Sequence, residues 1–117
     1  MTEILAVGET KFLTIERTTV EDAEGGFNHD VKIYEIDIAG ATDVKSFDWL
    51  QGVDYTPVSK RLVLDVKPAE VVDYVDNLET IAWGPELENG NRSLVIVSDN
   101  NFGDTQLTQF FAVEVLS

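Results

Sequence analysis

Phe12-Leu13-Thr14-Ile15-Glu16-Arg17 and Leu94-Val95-Ile96-Val97-Ser98-Asp99 are two versions of one pattern: a short apolar run that ends on charge. The likeness extends to both sides. Upstream, Leu5-Ala6-Val7-Gly8 matches Ile81-Ala82-Trp83-Gly84. Downstream, Lys32-Ile33-Tyr34-Glu35-Ile36-Asp37-Ile38 matches Gln109-Phe110-Phe111-Ala112-Val113-Glu114-Val115. The order strand, turn, strand, polar loop, strand therefore occurs twice, as expected of a unit duplicated in tandem.

Short runs rich in Val, Ile, Leu and Phe, bounded by turn residues, are strands. They are predicted at 4–8, 11–18, 31–39, 60–66, 79–84, 93–98 and 108–116. Gly8-Glu9-Thr10 closes the first pair as a tight hairpin, and Asn89-Gly90-Asn91 favours positive φ between the fifth and sixth. Tyr34, Ile36 and Ile38 share one face of the third strand, with Glu35 and Asp37 on the other. Leu94 to Val97 is apolar on both faces, which suits a strand between two layers. One short helix is predicted near 68–77, with Pro68 in its first turn and Val71, Val72, Val75 and Leu78 along one side. The fold expectation is all-β: two antiparallel meander sheets packed as adjacent β-propeller blades. The blades would cover about 1–67 and 77–117 of a single domain, joined through 68–76.

With 22 acidic and 8 basic side chains among 117 residues, the net charge is −14. That charge repels phosphate backbones and the basic residues do not cluster, so nucleic acid is not an expected partner. No apolar stretch reaches the roughly 18–20 residues that cross a bilayer as a helix, and Met1–Glu9 does not read as a signal peptide. The absence of cysteine excludes disulfides, thiolate metal sites and Cys nucleophiles.

Hairpin geometry places Glu79 opposite Val97 to Asp99, at one rim with Asp99, Asn100 and Asn101. These side chains offer oxygen atoms, the ligands that suit calcium with its 6–8 oxygens. The first copy sets Glu3 near Glu16 and Arg17, where a cation could again be held or Arg17 could grip an anionic oxygen with two hydrogen bonds. Glu79, Asp99, Asn100 and Asn101 are thus the candidate metal ligands, and Glu16 and Arg17 the candidate substrate-binding pair. The competing reading is structural: Asp-Asn-Asn after a strand is a turn signal, and Glu79 can begin a strand without chemistry.

Other motifs fall away. His29 is the lone histidine and lies in a glycine-rich loop, so neither a zinc site nor a His-based triad can be assembled. The Asp22–Asp30 segment lacks the Gly and Glu that an EF-hand loop needs, having Phe27 and Ile33 there. No serine lies in a Gly-x-Ser-x-Gly elbow. Trp49 and Trp83 read as packing residues.

Lys11-Phe12-Leu13-Thr14-Ile15-Glu16-Arg17, Asn77-Leu78-Glu79 before Ala82-Trp83-Gly84-Pro85, Ser98-Asp99-Asn100-Asn101-Phe102 and Thr108-Gln109-Phe110, in that order, resemble the C-terminal part of the phytase-like family, described by esterase-like activity of phytase. Leu94 to Phe111 is the strongest block. The resemblance implies the last two blades of a larger bacterial, often exported β-propeller. It also implies a hydrolase acting on a small-molecule phosphate or carboxylic ester, inactive as two blades alone. Thr80 departs from the Gly or Ala that commonly follows the Glu79 position in such propellers. With calcium at the Glu79 rim, this becomes a calcium-assisted hydrolase. The alternative is a non-catalytic β-module that binds a partner or completes a scaffold. Two blades without neighbours expose apolar sheet faces, so self-association is expected.

Overall fold

Alternation of apolar and polar side chains makes one face of each strand a partner for a second layer, and the described residues form seven strands. A computed structural model describes residues 1–66 and 75–116. Strands β1 (Glu3–Ala6), β2 (Lys11–Glu21), β3 (Phe27–Asp37) and β4 (Ser59–Val66) form one sheet in the order β1-β2-β3-β4. Strands β5 (Leu78–Glu86), β6 (Arg92–Ser98) and β7 (Phe110–Val115) form the other, in the order β5-β6-β7. Every pairing is antiparallel. The all-β expectation of two antiparallel meanders holds, and the sheets do not close on themselves. No helix occurs among the described residues. Most of the helix expected near 68–77 lies outside them, and 75–77 is irregular.

The turns follow from their residues. Gly90, at φ +81°, sits in the β5–β6 hairpin, where Leu87 N–H donates to Asn91 O at 2.8 Å. β2 and β3 run farther than expected, because Asp22 organises the hairpin that joins them. Its Oδ1 accepts from Glu24 N at 3.1 Å and Gly26 N at 2.6 Å, while Gly25 takes φ +80°. The acidic loop is a capped turn. Trp49 departs from its expected packing role: it is 69 % exposed in the long 38–58 connection.

The core lies between the sheets, where β5 rests against β1 and β2. Leu13, Ile15, Val31, Ile33 and Val66 come from the first sheet; Leu78, Ile81, Leu94, Ile96 and Phe111 come from the second. Each fully buried aliphatic side chain contributes about 1.5–3 kcal/mol relative to its exposed state. Trp83 packs at the edge of this core, under the Arg92 guanidinium at 3.3 Å from the ring centre. β1 and β5 run in the same sense. Arg17 meets Glu79 at the end where both strands begin, and Val7 and Lys11 share a cleft with Trp83 and Leu94 at the other end.

Register refines the repeat. Phe12 pairs with Ile36 as Leu94 pairs with Val113, and Thr14 pairs with Tyr34 as Ile96 pairs with Phe111. The second and third strands therefore match as the sequence aligned them. The first strand is corrected by one residue. Ile4 opposite Thr14 corresponds to Ile81 opposite Ile96, so Leu5 aligns with Ala82. A one-residue slip exchanges the two faces of a strand, so the correction decides which side chains are equivalent.

Candidate functional site at the shared rim

Leu78 pairs with Ser98 and Thr80 with Val97, which leaves Glu79 as the extra residue of a β-bulge. A bulge turns its side chain away from the regular alternation. Here the Glu79 carboxylate accepts from Asn77 Nδ2 at 2.6 Å and lies 3.7 Å from Arg17 Nη1 of β2. Arg17 faces the second sheet because it continues the alternation of Leu13 and Ile15. The pair closes the core at one rim. Arg17 Nη1 and Asn77 Oδ1 are buried and make no hydrogen bond among the described residues, so the ion pair is loose.

Glu79 and Asp99 border one cavity of about 270 Å³, with Thr80, Val97, Ser98 and Thr108. The sequence thus places these two carboxylates at a common rim, as the hairpin geometry required. Asn100 and Asn101 follow Asp99 but bond within their own turn. Asn100 Oδ1 accepts from Phe102 N at 3.2 Å, and Asn101 Nδ2 donates to Gln106 Oε1 at 3.3 Å. Asp99 Oδ1 accepts from Asn101 N at 3.1 Å. Positive φ at Asn101 and Phe102 (49° and 58°) marks the same tight turn.

The substrate-binding pair expected in β2 is divided. Glu16 and Arg17 are consecutive in a strand and point to opposite faces. Glu16 bonds Lys60 on the outer face of the first sheet, at 2.6 Å, and Lys60 lies 4.0 Å from the Tyr34 ring centre. Only Arg17 reaches the rim. Glu3 sits opposite Ile15 and turns its carboxylate to Ile4 N at 2.9 Å.

Sequence reading missed Asp76, a fully buried carboxylate just before β5. Its Oδ1 accepts from Asn77 N at 2.7 Å and its Oδ2 from Leu107 N at 2.5 Å, while its own N–H donates to Gln109 Oε1 at 2.8 Å. Ser98 supports the same loop, donating to Leu107 O at 2.7 Å and accepting from Gln109 N at 2.9 Å. Together they hold residues 99–109 against the rim. The available signal was an acidic residue directly before the Asn77-Leu78-Glu79 motif.

As a calcium site the rim is a partial fit. Two carboxylates border the cavity, whereas calcium takes 6–8 oxygens. Among the described residues, no three His, Asp or Glu side chains form a metal-holding group. Arg17 already offsets the charge of Glu79, so a cation there has to displace the guanidinium or share the carboxylate with it.

The clear shifts in acidity lie elsewhere. Asn91 and then Asn89 donate to the Glu114 carboxylate and hold its pKa below the ordinary value. The Ala39 N–H, followed by Thr10, does the same for Asp37. Lys45 lowers Asp43, and the hydrogen bond from Lys32 to Asp30 raises Lys32.

Comparison with known proteins gives no match among curated proteins and none among solved structures. The family model described as phytase-like, esterase-like activity of phytase, matches residues 1–102. The match takes in both rim carboxylates and Arg17, and it ends within the turn that follows Asp99. Spanning most of the 117 residues, with all of the first sheet and β5 and β6 of the second, it places this chain in the phytase-like family.

Proposed function

We propose that the chain supplies two blades, about 1–67 and 77–117, of a phytase-like β-propeller hydrolase acting on phosphate or carboxylic esters. The observation that carries this reading is the meeting of Glu79 and Asp99 at one cavity, with Arg17 of the other sheet 3.7 Å from Glu79. In this reading Glu79 and Asp99 hold a calcium ion, with water and oxygens outside this pair completing the shell. A calcium ion held there would neutralise phosphate charge or polarise an ester carbonyl, and would make a bound water more acidic. Arg17, 3.7 Å from Glu79, would bind an anionic oxygen of the substrate with two hydrogen bonds. Asp76 and Ser98 keep the Asp99 loop in place. Two sheets leave the rim open to solvent, so the chain alone turns over little or no substrate.

Calcium titration followed by amide NMR tests the proposal. Saturable shifts centred on Glu79 and Asp99–Asn101, lost in Asp99→Asn and accompanied by a shift of the Arg17 Nε–H, support it. Silence at those positions overturns it. A second reading, a non-catalytic β-module, is favoured by the engagement of Asn100, Asn101 and Asp99 in their own turn. It predicts that silence.

A further inference from the structure

The two sheets meet through faces that do not correspond. The face of the first sheet buried against the second carries Leu5, Leu13, Ile15 and Ile33; through the register, these positions correspond to Ala82, Val95, Val97 and Phe110. Those four lie on the uncovered face of the second sheet, where Phe110 is 72 % exposed. Conversely, Ile81, Leu94, Ile96 and Phe111, which face the core, correspond to Ile4, Phe12, Thr14 and Tyr34 on the opposite face of the first sheet, where Phe12 and Tyr34 are half-buried and Thr14 is buried. A two-fold sandwich would bury equivalent positions on both sides. Here each sheet buries the counterpart of what the other exposes, and β1 and β5 run in the same sense. That is the relation of successive units stacked head to tail.

We infer that the free face of β5-β6-β7 docks onto the free face of β1-β2-β3-β4 of a second copy of this chain, repeating the interface between its own two sheets. The occupant follows from continuity with that interface: each free face is the register counterpart of a surface already paired inside the molecule. The exposed apolar positions Ile4 (47 %) and Leu62 (47 %) on one side and Phe110 on the other are what such stacking covers. The contact is heterologous, so it propagates from copy to copy and ends only by closing into a ring. The net charge of −14 opposes it, and screening by salt favours it. This inference rests on the blade-like stacking but not on hydrolysis or calcium, so failure of the calcium titration leaves it intact.

Sedimentation velocity on the whole chain in about 0.3 M salt, where exposed charges are screened, tests it with two single-face variants, Ile4→Asp and Phe110→Asp. Circular dichroism confirms that each keeps its strands. The unaltered chain is expected to form oligomers whose population grows with concentration, and each variant alone to be monomeric, since every contact between its copies needs the altered face. An equimolar mixture is expected to form a one-to-one heterodimer, because Ile4→Asp retains a sound second-sheet face and Phe110→Asp a sound first-sheet face. A monomeric unaltered chain up to millimolar concentration overturns the inference. So does a mixture in which no heterodimer forms, as does a folded variant that assembles like the unaltered chain.

Discussion

The two sheets share one plan but secure their loops by different means. In the first, β2 and β3 continue as eleven-residue strands to a hairpin fixed by Asp22 and Gly25, and ion pairs such as Glu16–Lys60 lie on the surface. In the second, β6 stops at Ser98, and the segment up to Gln109 is held by the buried Asp76 carboxylate and the Ser98 hydroxyl. A ladder spreads its stabilisation over many modest hydrogen bonds. A buried carboxylate concentrates it in a few strong ones, because hydrogen bonds to charged groups count for more and an unmet buried donor is costly. The half that carries the Asp99 rim is therefore the half most sensitive to single substitutions.

Four substitutions read by stability, and one titration read with a fifth, break or sharpen that contrast. Ile96→Ala, in the core of the second sheet, is expected to cost about 2–5 kcal/mol in urea unfolding. Asp76→Ala leaves the Asn77 and Leu107 N–H groups without their charged acceptor and should cost about 3 kcal/mol, with amide-exchange protection lost across residues 99–109. Gly84→Ala places a Cβ 2.5 Å from Ser93 Oγ and 3.0 Å from the Val95 side chain, so about 1–3 kcal/mol is expected from overpacking. By contrast, Lys60→Ala on the first sheet should change stability by no more than about 1 kcal/mol, since the ion pair with Glu16 is exposed. A result for Lys60→Ala as large as that for Asp76→Ala would remove the distinction between the halves.

The smallest effect is in acid. Glu114 titrates below its ordinary value because Asn91 and Asn89 donate to the ionised form. The stabilisation this provides is present above the unfolded pKa and is lost as pH falls through the folded one. A carboxyl titration by NMR should place its midpoint below that of a free glutamate, and Asn91→Ala should move it upward.

What was legible in the sequence was what neighbours along the chain decide. Turn residues such as Gly90 set the hairpins, and a hairpin's antiparallel register carried Glu79 to the level of Ser98 before any coordinates were needed. Alternation within β2 separates Glu16 from Arg17, a consequence the grouping of the two residues overlooked. The role of Asp76 depends on Leu107, 31 residues away, and no local pattern announces such a bond. Asn100 and Asn101 are equally suited to a turn and to a cation, and hydrogen bonds within their own loop assign them to the turn. Trp49 lies in a connection without strand periodicity, so its exposure had no sequence signal.

Which faces of the two meanders meet decides both the rim and the stacking. A methyl NOE experiment on the dilute chain, below the concentrations at which copies associate, reads this directly. Cross-peaks from Ile15 and Ile33 to Ile81 and Ile96 are expected, with Val95 and Val97 showing none to the first sheet. Contacts from Val95 or Val97 to Leu5 or Leu13 within one molecule would contradict it.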